Sequence, residues 1–231
     1  MRMVGVLGGL GPAATVDFLD QLVRITPARC DQDHVPVLVV CVPQAPDRSA
    51  AILGGGADPL PFLLAGIDQL NQGGAEVVAI PCNSVRHWHA QLCERSRVPV
   101  LHIGQACVAR LRQPPGTPVL VLATRGVHHS GFYPVALRAA GLVPVDPAGL
   151  AVQEDVDACI ARVKAGEIRE AGRDLQRVLS RARAADVRSV VLGCTELPLA
   201  LRHCDTSGLA VHDSTRALAE AALAFAREGA R

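Results

Sequence analysis

Val77-Val78-Ala79-Ile80-Pro81-Cys82-Asn83-Ser84 returns, in altered form, as Ser189-Val190-Val191-Leu192-Gly193-Cys194-Thr195-Glu196. Each stretch is a short aliphatic run, a small or rigid residue, a cysteine, and polar residues able to cap a helix. Such a run, ended so abruptly, reads as a strand covered on both faces. The cysteine just past it lies at the strand's carboxyl end, where open α/β sheets place their ligand crevice. The two cysteines stand 112 positions apart in a chain of 231 residues, about half its length, the spacing that an internal duplication leaves. Two similar lobes facing each other would each contribute one thiol.

Working outward, aliphatic runs alternate with longer stretches of helical period. Val4 to Leu7 is followed by a helix from Ala13, Pro36 to Val42 by Pro59 to Asn71, and Glu76 to Ile80 by Trp88 to Arg95. The pattern then restarts: strand Pro118 to Ala123, helix Ser130 to Ala140, strand Leu142 to Val145, helices Val152 to Lys164 and Ile168 to Ala184, strand Ser189 to Leu192. Asp213 is placed to cap a last Ala/Leu-periodic helix, Ser214 to Arg227. This alternation predicts an α/β fold of two pseudo-symmetric lobes, each a mostly parallel sheet flanked by helices, with a cleft between them. Gln113-Pro114-Pro115-Gly116-Thr117-Pro118 is the internal linker. The expected division gives 1–113 plus 210–231 to the lobe carrying Cys82, and 114–209 to the lobe carrying Cys194.

Composition narrows the function. With 23 basic residues against 22 acidic ones, a net charge of +1 and only six aromatics, the chain lacks both the basic footprint and the stacking platform of a nucleic-acid binder. No apolar run approaches the roughly 18 to 20 residues of a membrane span, and the N-terminus turns glycine-rich where a signal peptide needs an apolar core. Eight cysteines with no C-x-x-C among them support neither a zinc ribbon nor a thioredoxin motif. In a long chain without a signal, they read as reduced thiols of a cytoplasmic protein. A small molecule is the expected partner, with neither nucleic acid nor membrane.

Several residues carry candidate chemistry. Gly9-x-Gly11-x-x-Ala14 fits the dinucleotide fingerprint formally, but the acidic residue expected at the end of the second strand is replaced by Cys41-Val42-Pro43-Gln44. Backbone N–H groups of that turn, Gly9 among them, could instead hold a carboxylate, or the turn is simply tight. Six cysteines read as small buried hydrophobes. Cys82 and Cys194 stand apart because each precedes a probable helix, whose N-terminus lowers a thiol pKa. Asn83, Ser84 and Thr195 can cap those helices or bind substrate oxygen. Arg48, in the rigid loop Pro43-Gln44-Ala45-Pro46-Asp47-Arg48-Ser49, can grip a carboxylate bidentately or lie in solvent. Glu196 could hold an ammonium group. His87, His89, His128 and His129 lack the carboxylates and spacing of a metal site, and the Arg-rich 162 to 188 segment reads as a solvated helix face.

These stretches together resemble the cofactor-independent aspartate/glutamate racemase family, most closely the aspartate racemases. Gly5 to Thr15, Asp31-Gln32-Asp33-His34, Pro43 to Arg48, Pro81-Cys82-Asn83, Leu122-Ala123-Thr124, Ser130-Gly131-x-Tyr133, Val163-Lys164-Ala165-Gly166 and Gly193-Cys194-Thr195-Glu196 carry the resemblance nearly end to end. It implies a homodimer that needs neither pyridoxal phosphate nor metal. Cys82 and Cys194 would be its acid/base pair, with Cys194 on the L-face and Cys82 on the D-face. By the same resemblance, Arg48 and Lys164 hold the substrate side-chain carboxylate, and Asn83, Ser84, Thr124 and Thr195 surround the α-carboxylate and amine. The family pattern P-C-N-T-x-H reads Pro81-Cys82-Asn83-Ser84-Val85-Arg86 here, and Val127 stands where a threonine is common. Arg86 or Arg125 could therefore recognise a longer or more acidic amino acid, or face solvent.

Two related alternatives use paired cysteines as well: maleate isomerisation and hydantoin racemisation. Arg48 and Lys164 favour a dicarboxylate, which argues against hydantoin more than against maleate. From other classes come a non-catalytic amino-acid-binding protein, which has no need of two opposed thiols, and a dinucleotide-dependent oxidoreductase.

Overall fold

Aliphatic runs become strands here because helices cover both of their faces. In chain order the first half forms β1 (Val4–Gly8), α1 (Pro12–Ile25), β2 (Val37–Cys41), α2 (Arg48–Ile52), α3 (Leu60–Gln72), β3 (Val77–Ala79), α4 (His89–Arg95) and α5 (Ile103–Val108). The second half forms β4 (Pro118–Leu122), α6 (Arg125–His129), α7 (Phe132–Ala139), β5 (Val143–Val145), α8 (Gln153–Lys164), α9 (Ile168–Ala184), β6 (Ser189–Leu192), α10 (Leu197–Leu201), β7 (Ala210–Asp213) and α11 (Ser214–Arg227). The computed structural model describes residues 1–228; residues 229–231, the end of the segment expected in the first lobe, lie outside the described residues.

Two parallel sheets result. The first has the order β2-β1-β3, and the second β5-β4-β6-β7. The repeat is therefore topological, with the first strand of each half central and the next two flanking it. It also extends one step further: Val78 of β3 bridges in parallel to Val100, and Val190 of β6 pairs with Val211 of β7.

Alternation along the strands divides each core in two. Val4 and Val6 face Phe18 and Leu22 of α1, while Leu7 faces Leu63, Ile67 and Leu70 of α3. In the second lobe Leu120 and Leu122 meet α8 and α9, and Val119 and Val121 meet Tyr133 and Leu137 of α7. The Arg-rich segment is helical as expected. Its buried stripe is Ala171, Leu175, Val178, Leu179 and Ala182, at helical spacing, with arginines on the other side.

The last helix of each half crosses over. α5, which follows the bridge at Val100, places Cys107 against Val119, Val121 and Val191 of the second sheet. α11 leaves the second sheet and packs Leu218, Ala219, Ala222 and Ala226 against Val4, Val6, Val77 and Ala79 of the first. Residues 210–213 pair with β6, so the chain returns to the first lobe after Asp213 rather than at the expected position 210. The strand was missed because Ala210–Asp213 is half-buried and short, with too little alternation to read.

Candidate active site

β3 and β6 end at equivalent places, and the loops beyond them carry the two cysteines to one cleft. Cys82 and Cys194 both line it, together with Leu10, Asp47, Arg48, Ser49, Asn83, Ser84, Thr124, Ile160, Lys164, Thr195 and Glu196. Of the residues expected from sequence, all but Gly9 meet there. The Gly9 N–H is taken by the Thr15 hydroxyl at 2.9 Å, and a φ of +83° with Val42 and Pro43 crowding the missing Cβ explains the glycine. Leu10 reaches the cleft in its place. At Gly11 a Cβ would lie 2.9 Å from Glu196 Oε1, so the carboxylate beside this turn is the protein's own.

The thiols are both buried, at 7% and 6% exposure, but their surroundings differ. The Cys194 thiol donates to Glu196 Oε2 at 3.0 Å, and the Thr195 hydroxyl donates to the same oxygen at 3.4 Å. Burial pushes Cys194 well above the ordinary thiol value, and the charge of Glu196 and the hydrogen bond to it add to the rise. Burial also pushes Cys82 up, with a further contribution from Glu196. There, however, the Arg48 guanidinium and the N–H groups of Val85 and Ser84 pull the other way.

Asn83 is held at both ends of its amide. The buried Tyr133 hydroxyl donates to Oδ1 at 2.6 Å, and Nδ2 donates to Ser214 Oγ at 2.9 Å. Ser214 in turn donates to Leu192 O at 2.7 Å. Burial keeps the Tyr133 phenol far above its usual pKa, so it stays a donor and fixes the amide, leaving one N–H of Nδ2 for a ligand. Ser84 Oγ lies 3.3 Å from Thr124 Oγ1, which also caps α6 by accepting from Val127 N. Across the same seam Gly126 N donates to Ser49 Oγ at 2.9 Å.

Arg48 uses Nη1 on the carbonyls of Ala45 and Pro46, at 3.0 and 3.1 Å, and its buried Nε has no partner. Half of the guanidinium is thus fixed and half is free for an anion. Lys164 sits at the rim, 3.4 Å from Asp47 Oδ2. Burial raises the Asp47 pKa, but the Ala50 N–H, Lys164 and Arg48 outweigh it and hold the carboxyl below its usual range. The free space in the cleft is only about 30 Å³, so the cleft is nearly closed.

Arg86 and Arg125 do not line this cleft. Arg86 lies over the Phe132 ring, 4.6 Å from its centroid, and bonds Ser130 Oγ. Arg125 pairs with Asp157 at 2.6 Å. The sequence reading missed Leu10, Asp47, Ser49 and Ile160 as lining residues, and Tyr133 and Ser214 as the supports of Asn83. Only Asp47 had a legible signal, its place beside Arg48.

Known proteins resemble this chain nearly end to end. A family model described as Asp/Glu/hydantoin racemase matches residues 7–222. The broad specificity amino-acid racemase RacX of Bacillus subtilis (strain 168) is 23% identical over 222 residues, covering 94% of this chain and 95% of the relative. Among solved structures, the Picrophilus torridus aspartate racemase is 29% identical with a TM-score of 0.84, covering 98% of this chain and 94% of that one. A Francisella tularensis glutamate racemase, solved with D-glutamate, shares the fold at a TM-score of 0.70 and 15% identity, covering 99% of this chain and 82% of that one.

Proposed function

The chain belongs to the Asp/Glu/hydantoin racemase family and is an isomerase, and from that premise we propose that it interconverts the L and D forms of an acidic amino acid, aspartate first and glutamate second. The reaction is a two-base proton transfer between Cys82 and Cys194. One observation carries the reading: two buried thiols, at matching strand ends of two similar lobes, line a single cleft that also holds a half-free guanidinium.

Cys82 starts as thiolate and Cys194 as thiol. Cys82 takes the α-proton from one face, and the electron pair of the broken C–H bond remains on the α-carbon, delocalised toward the α-carboxylate. Cys194 then delivers its proton to the opposite face, leaving Cys82 protonated and Cys194 as thiolate. The reverse reaction begins from that second state. Asn83, Ser84, Thr124 and Thr195 surround the α-carboxylate and the amine, and the hydrogen bonds they donate to the carboxylate meet the negative charge that develops there, which is where such donors lower the barrier. Arg48 and Lys164 take the side-chain carboxylate. Two thiols supply both acid and base, so the chemistry assigned here uses neither pyridoxal phosphate nor a metal.

Proton NMR in D2O tests the reading. The wild type should erase the α-proton signal of both aspartate enantiomers. Cys82→Ser and Cys194→Ser should each lose racemisation by about 10²- to 10⁴-fold, the usual worth of a positioned acid or base. Each should keep exchange with a different single enantiomer, and equal residual exchange in both variants would sink the two-base mechanism. A second reading, with a wider range of amino acids, is favoured by the Lys164–Asp47 pair, which competes with a distal carboxylate. Aliphatic amino acids and maleate in the same panel decide between the two.

A further inference from the structure

On the other side of the contact between α2 and α6, the surface opens into a cavity of about 560 Å³, within the roughly 300–1,000 Å³ of small-molecule sites. It shares no lining residue with the thiol cleft. Pro134, Pro144, Pro147 and Leu53 are part of its apolar lining. Its fixed charges are the guanidiniums of Arg125 and Arg138 against the lone carboxylate of Asp146, and the rings of His128 and His129 line it as well.

Those groups are incompletely used. Arg138 has no ion-pair partner among the described residues, and Arg125 gives only Nε to Asp157. Nε2 of His128 is buried and has no hydrogen-bond partner. Burial depresses the pKa of His128, outweighing the pull of Asp157 and Asp146 in the other direction. A neutral imidazole with an unused nitrogen therefore lines the cavity.

Three elements reach both cavities. α2 begins at Arg48, in the cleft, and its C-cap is Leu53, in the second cavity. α6 begins directly after Thr124 and carries Arg125, His128 and His129. α8 places Gln153 in the second cavity and Ile160 and Lys164 in the cleft, while Gln153 also donates to Ala123 O at 3.0 Å.

We propose that this cavity is a second ligand site for a small organic anion, a carboxylate on an apolar body, held by Arg138 and His128 with its body against Leu53 and the prolines. Filling it fixes α2, α6 and α8 relative to one another, and with them Arg48, Thr124 and Lys164. The ligand thereby changes the affinity of the nearly closed cleft for substrate, a coupling between two distinct sites. The coupling rests on the racemase reading; the binding does not.

Isothermal titration of the intact protein with indole-3-acetate is the test, comparing the wild type with Arg138→Glu and Leu53→Asp. Both substitutions fall at exposed positions, where folding tolerates them. The wild type should bind in the millimolar range or tighter, and each variant at least about tenfold more weakly, a loss of about 1.4 kcal/mol. Indole-3-acetate should also shift KM for amino-acid α-proton exchange in the wild type, and not in Arg138→Glu. Absent or undiminished binding overturns the site. So does a loss of binding that coincides with dissociation of a dimer in light scattering, which assigns this face to a second copy of the chain. Binding without an effect on KM retains the site and overturns the coupling. A wild type that exchanges no amino acid overturns the racemase reading and, with it, the coupling.

Discussion

At Cys194 a carboxylate oxygen lies 3.0 Å from the sulfur, whereas at Cys82 burial also raises the thiol but Arg48 and two backbone N–H groups counter part of the rise. Glu196 raises both thiols, and Cys194 more directly. Replacing it with glutamine removes that charge, so the Cys194 pKa falls and its thiolate fraction at fixed pH rises. Iodoacetamide labelling, mapped by mass spectrometry, should become several-fold faster at Cys194 in Glu196→Gln. Unchanged or slower labelling refutes the assignment. Because L and D substrates have equal free energy, kcat/KM must match in the two directions. The catalytic effect should therefore appear as kcat and KM diverging between enantiomers while their ratio stays common. The sequence revealed both cysteines because strand-end chemistry is local. It could not reveal Tyr133 as the clamp of Asn83, since that contact joins residues 50 positions apart.

Elements long enough to show a period were legible, and the short ones were not. α1, α3, α8, α9 and α11 lie where the apolar spacing puts them, whereas the five residues of α2, α6 or α10 complete too few turns to display a face. Caps compensate where the side chain is diagnostic. Asp213 Oδ1 accepts from Thr215 N at 2.7 Å at the start of α11, as expected, but the same residue is half-buried near Asp17. Burial raises its pKa above the unfolded value, against hydrogen bonds from Gln21 and the backbone N–H groups of Thr215 and Arg216. A raised folded pKa favours the protonated state, so this contribution to stability is fully present below the unfolded pKa, near 3.9. It is lost as pH rises through the folded pKa. Asparagine caps about as well as aspartate and does not titrate. Asp213→Asn should therefore gain stability relative to wild type as pH rises from about 4 toward neutrality. Urea midpoints across that range measure it, and a difference independent of pH contradicts the burial argument.

For the whole molecule, the exchange of α5 and α11 matters more than the linker that joins the lobes. Each sheet has one face covered by a helix that follows the other sheet, so neither lobe's core is complete alone. Asp17 and Arg202 add a polar tie at 2.5 Å between α1 and the end of α10, and the Asp17 side chain is only 1% exposed. The expected division returns 210–231 to the first lobe but keeps α5 there too, because the six residues of α5 show no apolar stripe that would assign them to either sheet. Unfolding in urea should be one cooperative transition, with the fluorescence of Trp88, in the first lobe's core, coinciding with labelling of Cys159 in the second. Arg202→Ala leaves one oxygen of a buried carboxylate unpaired, at a cost of about 1–3 kcal/mol. Both probes should shift together to lower urea with an unchanged slope. If Arg202→Ala moves one probe and leaves the other in place, the lobes are independent units and the helix exchange does not couple them.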